Sequence, residues 1–351
     1  MNSCKKNKIE ILEMFRFFAM TEVFIIHFMS DRINYGNGWS IPVVSGKLGV
    51  AFFFMITGYL LVKTSKTSET AIRFLEKKVI TLVPKYEIVL LCIFFISRIK
   101  PSWFKTFDIS YINFIKSIFL IPYKTEGVPF ACPMLPVAWT LIVQFFVYIV
   151  FAIMNSIYKD NIKTAKHMSI LFIALILMGC INRNDNIFLF TYCRFYMIYF
   201  ICGFMAAIIE KKMIDHQSEI LNGECLKYFS FAECLVGLLI FLLLSCIYKE
   251  NLLFALIMFT IFLISLIISG GACKTKVKFS GTILYLGRIS YSFYLLHYLV
   301  CKFTTRVLVG ENSLILFLLA MIISYIMTIL IAFIYNKVVD SIINVLKMRG
   351  A

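Results

Sequence analysis

The chain has 351 residues, of which 61% are hydrophobic and only 15% charged, and its mean hydropathy is +0.87. A soluble domain is nearer half apolar and a quarter charged, so this composition excludes one and marks a polytopic membrane protein. The net charge of +16 does not mark a nucleic-acid-binding protein, because the apolar runs leave no soluble basic domain to carry that function.

In chain order, windows of roughly 20 apolar residues recur, the length of a helix that crosses a bilayer. They predict an all-α, polytopic transmembrane helical bundle of about ten spans with no soluble domain. The spans are expected at 9–29, 46–63, 79–97, 134–158, 168–182, 187–209, 229–248, 251–269, 283–304 and 313–335. Residues 1–351 are read as one membrane domain, spanning from about residue 9 to 335 with short tails. The start, MNSCKKNK, resembles the positive region of a signal peptide. The run behind it holds Arg16 and Glu22 and no small-residue cleavage site follows, so it is read as a retained first helix. The longest connection, 98–133, contains ISYINFIKSIFLI (109–121), expected to lie as an interfacial helix. Nineteen basic residues fall in one set of tails and loops and nine in the other, five of the nine in that long loop. This bias predicts a plasma-membrane protein with both termini in the cytoplasm. No internal repeat is visible, so an inverted-repeat transporter is not suggested.

Ionisable residues inside spans are costly and therefore informative. The first span carries Arg16 and His27, eleven positions apart. At 3.6 residues per turn they share one helix face, separated by about 16.5 Å. One face thus offers a permanent cation near its inner end and a titratable imidazole near its outer end. Two readings stand: the pair addresses a substrate, or Arg16 pairs with Glu13 and His27 is an interfacial residue. Glu22 lies about 140° around the helix from His27 and has no assigned role. Further candidates for the outer half are Trp139 and Gln144, Arg194 among Tyr192, Tyr196 and Tyr199, and Tyr294 with His297. On the inner side Lys77, Lys78 and Lys85 gather around Pro84, which ordinary positive-inside anchoring also explains. The eleven cysteines show no CxxC or Cys/His spacing, so they read as small buried hydrophobes, with no metal site.

Together these stretches resemble the acyltransferase 3 family of membrane O-acyltransferases. That family opens with an acidic residue, an arginine three later and a histidine eleven beyond it, here Glu13, Arg16 and His27. GVAFFFMITGYLL (49–61, with Gly58), FLEKKVITLVPKY (74–86, with Pro84) and WTLIVQFFVY (139–148) resemble further family segments. LGRISYSFYLLH (286–297, with Ser290 and Tyr291) matches the family's penultimate helix closely. The matches come in family order. Three positions depart from the pattern: Gln144 stands for a glutamate, Ala51 for an acidic residue and Thr81 for a basic one. An amide cannot compensate a cation as a carboxylate can, so Gln144 puts substrate use and activity at stake. The extracytoplasmic hydrolase-like domain of some members is not expected here.

The resemblance implies acyl transfer from cytoplasmic acyl-CoA, acetyl-CoA by default, to a hydroxyl of an extracytoplasmic or lipid-linked sugar. The acyl-CoA is a co-substrate and no bound cofactor is implied. His27 is the expected base, or a transient acyl carrier. Arg16 is expected to stabilise the developing oxyanion or to hold a CoA phosphate, which Lys77 and Lys78 would join. Trp139, Gln144, Arg194, Tyr294 and His297 are expected at the acceptor. Glu13, Gly58, Pro84, Ser290 and Tyr291 are expected to support them. The expected partners are acyl-CoA, a sugar or polysaccharide, and the bilayer. The competing readings are a glycan or lipid-linked sugar transporter or flippase, and a relative that has lost catalysis.

Overall fold

Long apolar runs with few helix breakers can satisfy their backbone groups in a membrane only as helices or closed barrels, and helices form here. The computed structural model describes residues 2–33, 46–104, 109–125, 131, 133–181, 186–215, 259–260, 281–307 and 314–349. In chain order it contains α1 (Asn2–Ile33), α2 (Gly46–Thr64), α3 (Ala71–Ile99), α4 (Tyr111–Ile118), α5 (Trp139–Tyr158) and α6 (Asn161–Ile181). Then come α7 (Ile187–Tyr192), α8 (Met197–Asp215), α9 (Gly281–Arg288), α10 (Ser290–Val307) and α11 (Leu314–Arg349). Single 3-10 turns lie at Pro101–Phe104 and Pro136–Ala138, and no strand occurs among the described residues. Ala71–Ile99, Pro136–Tyr158, Asn161–Ile181 and Ile315–Ile343 are long and apolar enough to cross a membrane, and Gly49–Thr64 is a shorter apolar helix. The predicted span 229–248, and all but two residues of 251–269, lie outside the described residues.

Several predicted boundaries need correction. The expected span 187–209 is interrupted between α7 and α8. The Asn186 side chain caps α7, accepting the N–H of Phe188 at 2.6 Å, and the Tyr196 hydroxyl donates back to the Thr191 carbonyl across the bend. The expected span 283–304 is likewise two helices, broken at Ile289. The third helix starts at Ala71, not 79, and the last runs to Arg349, so the expected C-terminal tail is helical. Its segment NKVVDSIINVLKMR contains no Gly or Pro to stop it.

The described residues fall into two compact units. The first comprises Met1–Leu12, Ala51–Ala71 and Ile149–Lys278. Its core stacks Phe54 on Phe200 at 4.4 Å, with Phe172 and Phe204 beside them. Gly58 and Gly203 let α2 and α8 touch backbone to backbone: a Cβ on either would strike a carbonyl of the other helix. Glu210, buried in this unit, accepts the Tyr59 hydroxyl at 2.8 Å and pairs with Lys63 at 2.5 Å. Asp160 caps α6, and Asn161 donates to the carbonyls of Val62 and Ser65.

The second unit comprises Glu13–Val50, Ile72–Tyr148 and Phe279–Ala351. Phe24 meets Phe293 and His27 meets His297, so α1 and α10 run parallel. Phe24 meets Tyr325 and Phe28 meets Phe317, so α11 runs antiparallel to α1. The exposed side of α11 carries Ile315, Leu319, Ile322, Ile326 and Leu330, a surface suited to lipid. The expected interfacial segment is α4, and it is inside-out for water. It buries Asn113 and Ser117 and exposes Tyr111, Ile112 and Ile115. Ser117 joins three segments: its carbonyl accepts the Tyr86 hydroxyl of α3 at 2.8 Å, and its hydroxyl accepts the Met134 N–H at 2.9 Å.

Candidate functional site

Helix α1 organises the second unit. Midway along it the Arg16 guanidinium binds the Glu13 carboxylate at 2.9 Å, the i,i+3 geometry that spacing allows. Glu13 is buried. Gly287 of α9 packs against its backbone, and a Cβ there would lie 2.7 Å from the Glu13 carbonyl carbon. Of the two sequence readings, the one that pairs Arg16 with Glu13 matches this ion pair, and a glycine contact from α9 fixes where the pair lies. Between the pair and the histidine, Glu22 accepts the Gly49 N–H at 2.9 Å in the first turn of α2. A carboxylate suits that position because the N-terminal end of α2 carries the positive end of the helix dipole.

Three turns further along α1, the half-buried His27 ring faces His297 of α10, with centroids 5.1 Å apart. Tyr298 meets His27 edge-on at 6.3 Å. His297 is fully buried, and neither of its ring nitrogens has a hydrogen-bond partner among the described residues. Tyr294 lies 5.6 Å from His297, ring to ring. Its hydroxyl donates to the Val137 carbonyl at 2.7 Å and lies 3.1 Å from the Thr140 hydroxyl. These bonds join the start of α5 to the histidines. Trp139 opens α5, and Gln144 lies one turn beyond Thr140 on the same helix face; both are half-buried.

The motif segments of α1, α3, α5, α9 and α10 pack together within the second unit, and residues 9–337 match the family model described as an acyltransferase domain. The chain belongs to the acyltransferase 3 family. Over 159 residues it is 26% identical to the exopolysaccharide production protein ExoZ of Rhizobium meliloti (strain 1021). That alignment covers 45% of this chain and 49% of ExoZ, so the chain spans about half the length of that relative. No solved structure matches it.

Within this acyltransferase-family fold the remaining expected residues separate. Arg194 lies in the first unit, in the bend between α7 and α8, with its guanidinium 5.3 Å from the Phe190 ring. Of the basic trio, Lys77 is exposed, and Lys78 sits over Phe74 and Tyr148 at 5.2 and 4.9 Å. Lys85 is buried and pairs with Asp340 at 2.7 Å and with Asn336 at 2.7 Å. Asn336 in turn binds Asp340 and accepts the Ser292 hydroxyl at 2.8 Å. Lys85 is therefore part of a polar network among α3, α10 and α11, a role that simple anchoring does not describe. Tyr291 and Tyr335 donate to the Leu82 and Lys85 carbonyls on either side of Pro84. Ser290 is buried at the start of α10. Sequence reasoning does not single out Asn336, Asp340, Ser117 or Gly287. Gly287 lies within LGRISYSFYLLH, and a lysine in an apolar run is the one signal that α11 holds partners for it.

Proposed function

We propose that this protein is a membrane O-acyltransferase. It moves an acyl group, acetyl by default, from cytoplasmic acyl-CoA to a hydroxyl of an extracytoplasmic or lipid-linked sugar or polysaccharide. The observation that carries this is the His27–His297 pair, 5.1 Å apart on parallel helices, with the Arg16–Glu13 pair further back on the same α1. Membership of the acyltransferase family supplies the reaction class, and ExoZ, whose name concerns exopolysaccharide production, motivates the carbohydrate acceptor.

The chemistry follows from these side chains. A sugar hydroxyl is a poor nucleophile at neutral pH, and neutral His27 takes its proton as the oxygen attacks the thioester carbon. The tetrahedral oxyanion collapses, the C–S bond breaks, and the CoA thiolate leaves and takes up a proton. Arg16 provides the guanidinium for the oxyanion or a CoA phosphate, with Glu13 holding its fork in one orientation. Lys77 and Lys78 receive the CoA phosphates. His297, Tyr294, Trp139 and Gln144, all of the second unit, contact the acceptor. About ten spans, a plasma-membrane location and cytoplasmic termini complete the reading. Terminal tags reached by impermeant label only after permeabilisation are the expected topology result.

The test compares ester-linked acyl content of cell-envelope glycans in three strains: a deletion, the wild type restored, and His27→Ala restored at matched protein level. Ester that returns with the wild type and stays absent with His27→Ala supports the reading. Ester equal in all three sinks it. Arg16→Lys is expected to be impaired as well, because an ammonium cannot reproduce the planar fork.

A further inference from the structure

Beyond the histidines, α10 keeps two cations in its last two turns. Tyr298, Lys302 and Arg306 are spaced four residues apart and so follow one face of the helix. The Lys302 ammonium lies over the Tyr298 ring at 5.6 Å, and that same ring meets His27 edge-on. The Tyr298 ring is therefore a shared neighbour of the Lys302 cation and the proposed base. The Arg306 guanidinium lies 5.8 Å from the Trp103 ring, and Trp103 packs on Phe303 at 6.1 Å. Trp103 stands in the turn Pro101–Phe104 just after α3, so this turn brings an aromatic ring beside Phe303 and Arg306 of α10.

Cations near a helix C-terminus are favoured by its dipole, which accounts for a charge there. The dipole does not account for their registration with His27 or for the aromatic partners. Trp with Arg and Lys is the chemistry of a sugar ring bearing an acid group. The indole covers apolar ring hydrogens, and the guanidinium and ammonium receive a carboxylate or phosphate.

We infer that Lys302, Arg306 and Trp103 form an anionic subsite, and that the acceptor is an acidic glycan whose charged group lies next to the acylated sugar. This rests on the acyltransferase reading and names the substrate class of that site. A hydroxyl held at His27 places a neighbouring acid group towards Lys302, and the following residue of the glycan on Trp103 and Arg306.

The test uses the full chain in lipid nanodiscs with radiolabelled acetyl-CoA. Acceptors are envelope glycans of the deletion strain separated by anion exchange into neutral and acidic pools, and three defined probes. The probes are a neutral cello-oligosaccharide, an oligogalacturonate and a glycerol-phosphate-bearing oligosaccharide. Label is expected in the acidic pool, with KM rising as salt is added. Lys302→Gln and Arg306→Gln are each expected to raise KM roughly tenfold or more, the scale of a lost charge-assisted contact, with little change in kcat. Lys302→Arg is expected to restore KM, which a folding defect would not allow. Preference between the two charged probes tells a carboxylate from a phosphate. Equal labelling of the neutral pool, or an unchanged KM in both glutamine variants, overturns the subsite while leaving the acyltransferase reading intact. No label in either pool from the wild-type protein overturns that reading, and the subsite with it.

Discussion

At the scale of single residues, His297 separates packing from function. It is fully buried among Phe293, Tyr294 and His27, without a hydrogen-bond partner among the described residues. A buried polar group in that state contributes little to stability, and replacing it by an apolar ring of similar shape is close to neutral. His297→Phe is therefore expected to leave thermal stability within about 1 kcal/mol of wild type while lowering kcat/KM by at least tenfold. Full activity in that variant would reduce His297 to a filler. The sequence placed His27 on the Arg16 face by periodicity, because three turns of one helix is local information. It did not pair His27 with His297.

Among the elements, the breaks in two predicted spans have local causes that hydropathy does not register. The bend after α7 depends on an Asn186 cap and a tyrosine hydroxyl, neither of which lowers the apolar average of the run. The seat of α9 on α1 depends on Gly287. Gly287→Ala overpacks this contact against backbone, which cannot give way as a side chain can, and is expected to cost about 1–3 kcal/mol. Unfolding in detergent measures that cost, and a loss of transfer should accompany it as Glu13 and Arg16 shift. Asp160 supplies a second element-level prediction. Its Oδ1 accepts the N–H groups of Ile162 at 2.7 Å and Lys163 at 3.2 Å. The Lys163 N–H, then that of Ile162 and the charges of Lys163 and Lys211, hold its carboxyl below the usual aspartate range. The folded value is the lower one, so the stabilisation is complete above the unfolded pKa of about 3.9 and is lost as pH falls through the folded value. Asp160→Ala is expected to cost about 1 kcal/mol at neutral pH, and the difference from wild type should shrink in strong acid, where the protonated carboxyl caps only as a neutral acceptor. A difference undiminished there would locate the effect elsewhere.

For the second unit as a whole, the Lys85 network is the clearest case of one interaction joining distant segments. Lys85 has a side chain only 10% exposed, whereas that of Asp340 is 46% exposed. Removing either partner should therefore have unequal effects. Asp340→Asn leaves a buried ammonium without its counter-charge and is expected to cost about 3 kcal/mol or more, whereas Lys85→Met returns Asp340 to solvent and costs less. The double variant is expected to recover most of the loss. Unfolding free energies of the four proteins make the cycle, and strictly additive effects would refute the coupling.

The sequence by itself determined the membrane class, the helical type and the family through its ordered motifs, and it offered a helix within 109–121 and, as one of two readings, the Glu13–Arg16 pair. Each is readable from composition or from neighbours within a few turns. Only the tertiary structure decided that His27 meets His297, that Glu22 meets the start of α2, and that Lys85 meets Asp340. The physical reason is the solvent. Lipid tails are as apolar as a protein core, so hydropathy cannot distinguish a helix face that packs from one that meets lipid. The choice of neighbour rests on glycines that admit close approach and on buried polar groups that need partners, and those partners are chosen only when the chain has folded.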